Sequence, residues 1–95
     1  MKEFQRHIAE LYLDKDKRRG VEPTFLWFME EVGELSEAIR RRDDPANLEE
    51  EFADVAAWLA SLANLLDVDL GAAAARKYPA QCRRCGHKPC ACAES

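Results

Sequence analysis

At 95 residues, with 47% hydrophobic and 34% charged side chains, the chain has material for one small domain and not for two independent cores. No apolar run approaches a membrane span, and Met1-Lys2-Glu3-Phe4-Gln5 lacks the apolar stretch of a secretion signal, so a cytoplasmic protein with no membrane partner is expected. The net charge of −4 is uneven: Arg83, Arg84 and Lys88 against Glu94 leave residues 82–95 at +2 and the rest at −6, which confines any nucleic-acid contact to the basic tail.

Apolar spacing predicts a first helix from Lys2 to Asp14, with Phe4, Ile8 and Leu11 on its buried stripe. Asp14-Lys15-Asp16-Lys17-Arg18-Arg19-Gly20 then reads as a charged break. Such a segment is ordinarily a solvated loop, but its position just before the next helix also suits Lys15, Arg18 and Arg19 to a phosphate chain. A second helix starts near Pro23 and runs to Arg41, with cations at its C-terminal end. Asp43, Asp44 and Pro45 mark a short break, and a third helix follows from Pro45 to Leu66. A fourth, Leu70 to Lys77, is capped by Asp67 or Asp69 and stopped by Pro79. No segment reads as a strand, so the fold class is all-α.

The second and third helices repeat one another at an offset of 20: Phe28, Val32, Leu35 and Ile39 match Leu48, Phe52, Val55 and Leu59. Glu31-x-x-Glu34 matches Glu51-x-x-Asp54. At about 100° per residue each acidic pair lies on the shoulder of the apolar stripe. So short a connection joins antiparallel neighbours, which places Glu34 level with Glu51 and Glu31 level with Asp54. Four carboxylates gathered there need a cation or bound protons, and hard oxygen donors favour Mg²⁺ or Mn²⁺. The plainer reading, a solvated acidic face, fits either pair alone better than both together. Glu30, Glu37, Glu49 and Glu50 point to solvent. Trp27 and Trp58 fall on the same shoulders as the acids, where they either pack or stack on a base. A di-iron site is disfavoured because neither acidic pair contains a histidine.

The stripe from Leu48 to Leu66 is longer than one partner helix can hide, which predicts a homodimer or higher oligomer built as a helix bundle. All four cysteines follow the helices, as Cys82-x-x-Cys85 and Cys90-x-Cys92, with Gly86 and Pro89 permitting tight turns. In a reducing compartment this spacing favours a structural Zn²⁺ knuckle over an unstructured thiol-rich tail, with the four cysteines the simplest ligand set and His87 able to replace one thiolate. The expected division is therefore a helical domain at 1–79 and a zinc-knuckle tail, held by the four cysteines, at 80–95.

With Glu30-Glu31-Val32-Gly33-Glu34-Leu35, Glu51-Phe52-Ala53-Asp54-Val55 and the segment from Arg19-Gly20 to Trp27, the chain resembles the MazG family of all-α nucleotide pyrophosphohydrolases over roughly residues 1–80. The resemblance implies Mg²⁺-dependent hydrolysis of a nucleoside triphosphate to the monophosphate and pyrophosphate, with Glu31, Glu34, Glu51 and Asp54 as metal ligands. It further implies water attack at the α-phosphate with Glu34 as the base, and Trp27 against the base or sugar. Many relatives carry a Lys and an Asn on the fourth helix, where this chain has Ala72-Ala73-Ala74-Ala75. That departure sustains an alternative: a catalytically weak or inactive binding module whose zinc tail contacts nucleic acid or protein.

Overall fold

A computed structural model describes residues 1–93, and there the chain forms four helices, α1 (Lys2–Arg19), α2 (Val21–Arg41), α3 (Pro45–Leu65) and α4 (Leu70–Lys77), with no strand among the described residues. The end of the expected tail, Glu94 and Ser95, lies outside the described residues.

The segment expected to break the chain at Asp14 is helical instead, and α1 continues to Arg19. Its alternating charges do not disrupt a helix, because Asp16 and Arg19 stand three apart and pair at 2.9 Å. The corner is compressed into Gly20, whose φ of 91° is open to glycine but strained for other residues. Its amide donates to the Asp16 carbonyl at 2.8 Å, and its carbonyl accepts the Thr24 hydroxyl at 2.7 Å. One residue thus closes α1 and opens α2.

The α2–α3 connection has the expected chemistry. Arg42 ends α2 in a left-handed conformation (φ 53°), with its amide bonded to the Ala38 carbonyl at 2.9 Å. Asp44 caps α3 through the Asn47 amide at 3.2 Å, with Pro45 in the first turn. At α4 the cap is Asp69, which accepts the Ala72 amide at 3.0 Å; Asp67 instead turns the chain at φ 55°.

Packing is most extensive between α2 and α3, with α1 across α3 and α4 against α1. Trp27 meets Trp58, and Glu31 meets Asp54, so a step of four along α2 is answered by a step of four back along α3. The hairpin is antiparallel. The stripe expected on α1 holds at Ile8, which is buried, but not at Leu11, which is 54% exposed. The buried face of α1 runs through Gln5, Ile8 and Asp16. The Gln5 side chain donates through its amide nitrogen to Asn64 Oδ1 at 3.0 Å and the Val68 carbonyl at 2.7 Å, and its oxygen accepts the Leu70 amide at 2.9 Å. A buried polar side chain with its partners supplied can replace an apolar one at such a joint.

The single chain has little core. Among the described residues the buried apolar ones are Ile8, Ala38, Ala60 and Ala63, while the largest fully buried side chains are Thr24 and Asp16. The accessible surface is 7412 Å², against roughly 5,500 Å² for a compact monomer of this mass. The radius of gyration is 16.0 Å, against about 12 Å for a compact domain of this length. Phe52 and Leu59 stand exposed on α3, and Leu66, just past its end, continues their seven-residue spacing. No single described helix is long and apolar enough to cross a membrane.

Candidate metal centre

The α2–α3 register brings three of the four expected acids together. Glu31, Glu51 and Asp54 each offer a carboxylate oxygen within 4.8 Å of the other two. Glu31 and Glu51 are half-buried and Asp54 is exposed, so the cluster opens outward from the groove between the helices. Glu34 is exposed and stands outside this trio, although its carboxylate acts on the titration of both Glu31 and Glu51. The quartet expected from helical spacing is therefore a trio with Glu34 beside it. Glu30, Glu37, Glu49 and Glu50 are exposed, as their helical positions predict. Glu37 is held below the usual carboxylate range by hydrogen bonds from Arg41 and Arg40.

The cost of this crowding is visible in the protons. Glu31 is pushed up to about 7, first by its hydrogen bond with Glu34, then by burial, then by the charges of Glu34, Asp54 and Glu51. Glu51 is raised by burial and by the charges of Glu34, Asp54 and Glu50. Glu31 Oε2 is buried with no hydrogen-bond partner among the described residues. A lone acceptor among like charges is unfavourable by itself and well suited to a hard cation. The donor set fits Mg²⁺ or Mn²⁺: all carboxyl oxygen, with exposed Asp54 on its open side for water and substrate oxygens.

One helical turn from the acids stands an aromatic wall. The Trp27 and Trp58 rings stack with centroids 6.0 Å apart and planes at 15°. Arg19 covers the Trp58 ring at 4.8 Å. Trp27 remains 47% exposed, so one indole face is available and the other is backed. Among the three expected phosphate-contacting cations, the structure brings Arg19 to this wall and leaves Lys15 and Arg18 exposed on α1. The Arg19 guanidinium is already engaged by Asp16 at 2.9 Å and Thr24 at 3.1 Å.

Sequence reasoning missed a recess of about 330 Å³ beside Glu34 and Glu51, whose walls include Arg41 and Asn47. Arg41 sits at the last turn of α2 and Asn47 at the first turn of α3, so the hairpin register alone could have found them. The alanine-rich α4 packs at the opposite end: its first turn meets Lys2 of α1 and follows Val68 and Asp69, beyond the C-terminus of α3. Asn64, at that end, is ten residues past Asp54, about 15 Å along α3.

The four cysteines form a second cluster, separate in sequence from the acids. Their sulfurs all lie within 4.8 Å of one another. Backbone amides of Ala91 and His87 hold Cys85 down to about 6, whereas the neighbouring Cys90, Cys82 and Cys85 thiols push Cys92 up to about 12.

An antiparallel helical hairpin that gathers carboxylates on one face defines the protein as an all-α candidate for divalent-cation chemistry. The chain belongs to the MazG nucleotide pyrophosphohydrolase domain family, whose family model matches residues 19–87. That span contains both acidic pairs, both tryptophans and Arg19. A comparison with curated proteins returned no significant match.

Proposed function

We propose that the protein is a divalent-cation-dependent nucleoside triphosphate pyrophosphohydrolase, converting a nucleotide and water to the monophosphate and pyrophosphate. The observation that carries this reading is the convergence of Glu31, Glu51 and Asp54, with a buried, unpartnered oxygen on Glu31. Within a family defined by nucleotide pyrophosphohydrolysis, that donor set is where the triphosphate would be engaged.

Glu31, Glu51 and Asp54 would hold Mg²⁺ or Mn²⁺, with Glu34 completing the set from its edge. The ion supplies charge neutralisation at phosphate oxygens and a more acidic attacking water. Glu34 is the base: it faces the cluster without belonging to the tight trio, which leaves a carboxylate oxygen free to take the water's proton. The water oxygen bonds the α-phosphorus as the bond to the bridging oxygen breaks, and pyrophosphate leaves with that electron pair. Trp27 offers its open face to the base or sugar, with Trp58 and Arg19 as backing. Arg41 and Asn47 stand beside Glu34 on the side away from the indoles, where cationic and amide donors suit phosphate oxygens.

The working unit is a homodimer. A surface excess of about 1,900 Å² over a compact monomer is the scale that an obligate dimer removes from each chain. Phe52, Leu59 and Leu66 supply its seam.

Mn²⁺ binding tests the site without assuming turnover. Titration calorimetry should detect the ion on the wild-type protein, and binding should weaken at least tenfold in Glu31→Gln and Asp54→Asn. Equal binding by both variants would place the ion elsewhere.

A further inference from the structure

Residues 80–93 contain no helix or strand, and none of their side chains is fully buried. Two backbone bonds within the segment, Cys82 amide to His87 carbonyl at 3.0 Å and Gly86 amide to Cys82 carbonyl at 2.7 Å, cannot by themselves fix fourteen residues against chain entropy. The four sulfurs nevertheless converge. A Zn²⁺ ion with thiolates at about 2.3 Å requires a tetrahedron whose edges are about 3.8 Å. The Cys82 and Cys92 sulfurs stand 3.7 Å apart, and every pair lies within 4.8 Å. The surrounding backbone is also arranged for thiolates. The Ala91 amide donates to Cys85 Sγ at 3.3 Å, and the Cys92 amide to Cys90 Sγ at 3.3 Å. Gly86, at φ 72°, supplies the turn that lets Cys82 and Cys85 face one way.

Charge decides what the basic residues here are for. Four thiolates around one Zn²⁺ carry a net −2 at the centre. Arg83, Arg84 and Lys88 contribute +3 in residues 80–93, so the loaded segment is close to neutral at +1. A surface built for a polyanion would retain a substantial positive excess.

We propose that Cys82, Cys85, Cys90 and Cys92 hold one Zn²⁺ as a closed structural tetrathiolate that folds residues 80–93, with Arg83, Arg84 and Lys88 balancing its charge rather than recruiting a nucleic acid. Binding releases the thiol protons and supplies the folding free energy that the segment's packing does not. All four positions are taken by sulfur, so the ion has no open site for a substrate. The zinc site is independent of the pyrophosphohydrolase reading.

The test is zinc content of the full-length protein purified under reducing conditions, measured by elemental mass spectrometry. One zinc per chain is expected in the wild type, and loss of at least nine-tenths of it in Cys85→Ser and in Cys90→Ser/Cys92→Ser. Wild-type protein refolded with Co²⁺ should show the intense visible absorption of tetrahedral cobalt–thiolate coordination. Absence of zinc, retention in the serine variants, or cobalt bound without thiolate absorption would overturn the site. Replacing Arg83, Arg84 and Lys88 together by Gln should weaken zinc about tenfold or more against a competing chelator. Unchanged retention, or salt-sensitive binding of single-stranded DNA by the zinc-loaded wild type, would overturn the charge-balancing role.

Discussion

The guanidinium of Arg19 lies 4.8 Å above the ring of Trp58 while its Nη1 bonds Asp16 at 2.9 Å. A cation thus joins the end of α1 to the middle of α3, and Thr24 of α2 closes the joint at 3.1 Å. Asp16 is 1% exposed and its second oxygen has no partner among the described residues, so the ion pair is what makes its burial tolerable. Arg19→Ala should therefore destabilise the fold by about 2–4 kcal/mol, read by urea denaturation. Arg19→Lys should recover only part of this, because an ammonium cannot bond and stack at once. Unaltered stability in Arg19→Ala would mean that Asp16 is solvated in solution.

Without a cation, stability should depend on pH in an unusual sense for a carboxylate. Glu31 holds its proton up to about 7 in the folded chain, against an ordinary 4.5. Across that interval the folded state binds more protons than the unfolded one, so stability is full below the lower value and falls as pH rises through the upper one. Melting temperature in chelator should fall between these pH values, and Mg²⁺ should restore it at pH 8. A melting temperature that rises with pH over this interval would contradict the crowding.

Stability and activity should separate at the same residue. Glu31→Gln removes one negative charge from the cluster and should raise the melting temperature of the chelated protein at pH 8, while weakening Mn²⁺ binding and abolishing pyrophosphate release. A lower melting temperature in chelator would show that Glu31 supports the fold through contacts other than these charges.

The seam on α3 gives a separate prediction. Phe52 and Leu59 are 55% and 37% exposed in the single chain. Light scattering should find the wild type at twice the chain mass, and Phe52→Asp/Leu59→Asp at the mass of one chain, with lower stability. A wild-type monomer would leave the exposed seam without this occupant.

The helices carrying the site were legible because their signals are local. Asp44 and Pro45 announced α3, and Glu31, Glu34, Glu51 and Asp54 took their level from helical spacing and a short connection. The Asp16–Arg19 pair was not. A run of alternating charges looks solvated whether or not one of its carboxylates is buried, and only the arrival of Trp58 from far along the chain, with Thr24 from the next helix, decides that. Leu11 misled for a related reason: periodicity identified an apolar face, but the buried face of α1 runs through Gln5, Ile8 and Asp16, with Gln5 supplied with three partners at the α3–α4 corner. Spacing likewise set the level of Glu34 but did not show that it stands beside the trio and not within it.

The most direct test of the central claim is product analysis on a panel of ribo- and deoxyribonucleoside triphosphates, with Mg²⁺, with Mn²⁺ and with chelator. Wild-type protein should release monophosphate and pyrophosphate only when the cation is present. Glu34→Gln should lose at least a hundredfold in rate while still binding Mn²⁺. Diphosphate and inorganic phosphate as products, turnover in chelator, or silence across the panel from a folded protein that binds Mn²⁺ would contradict it.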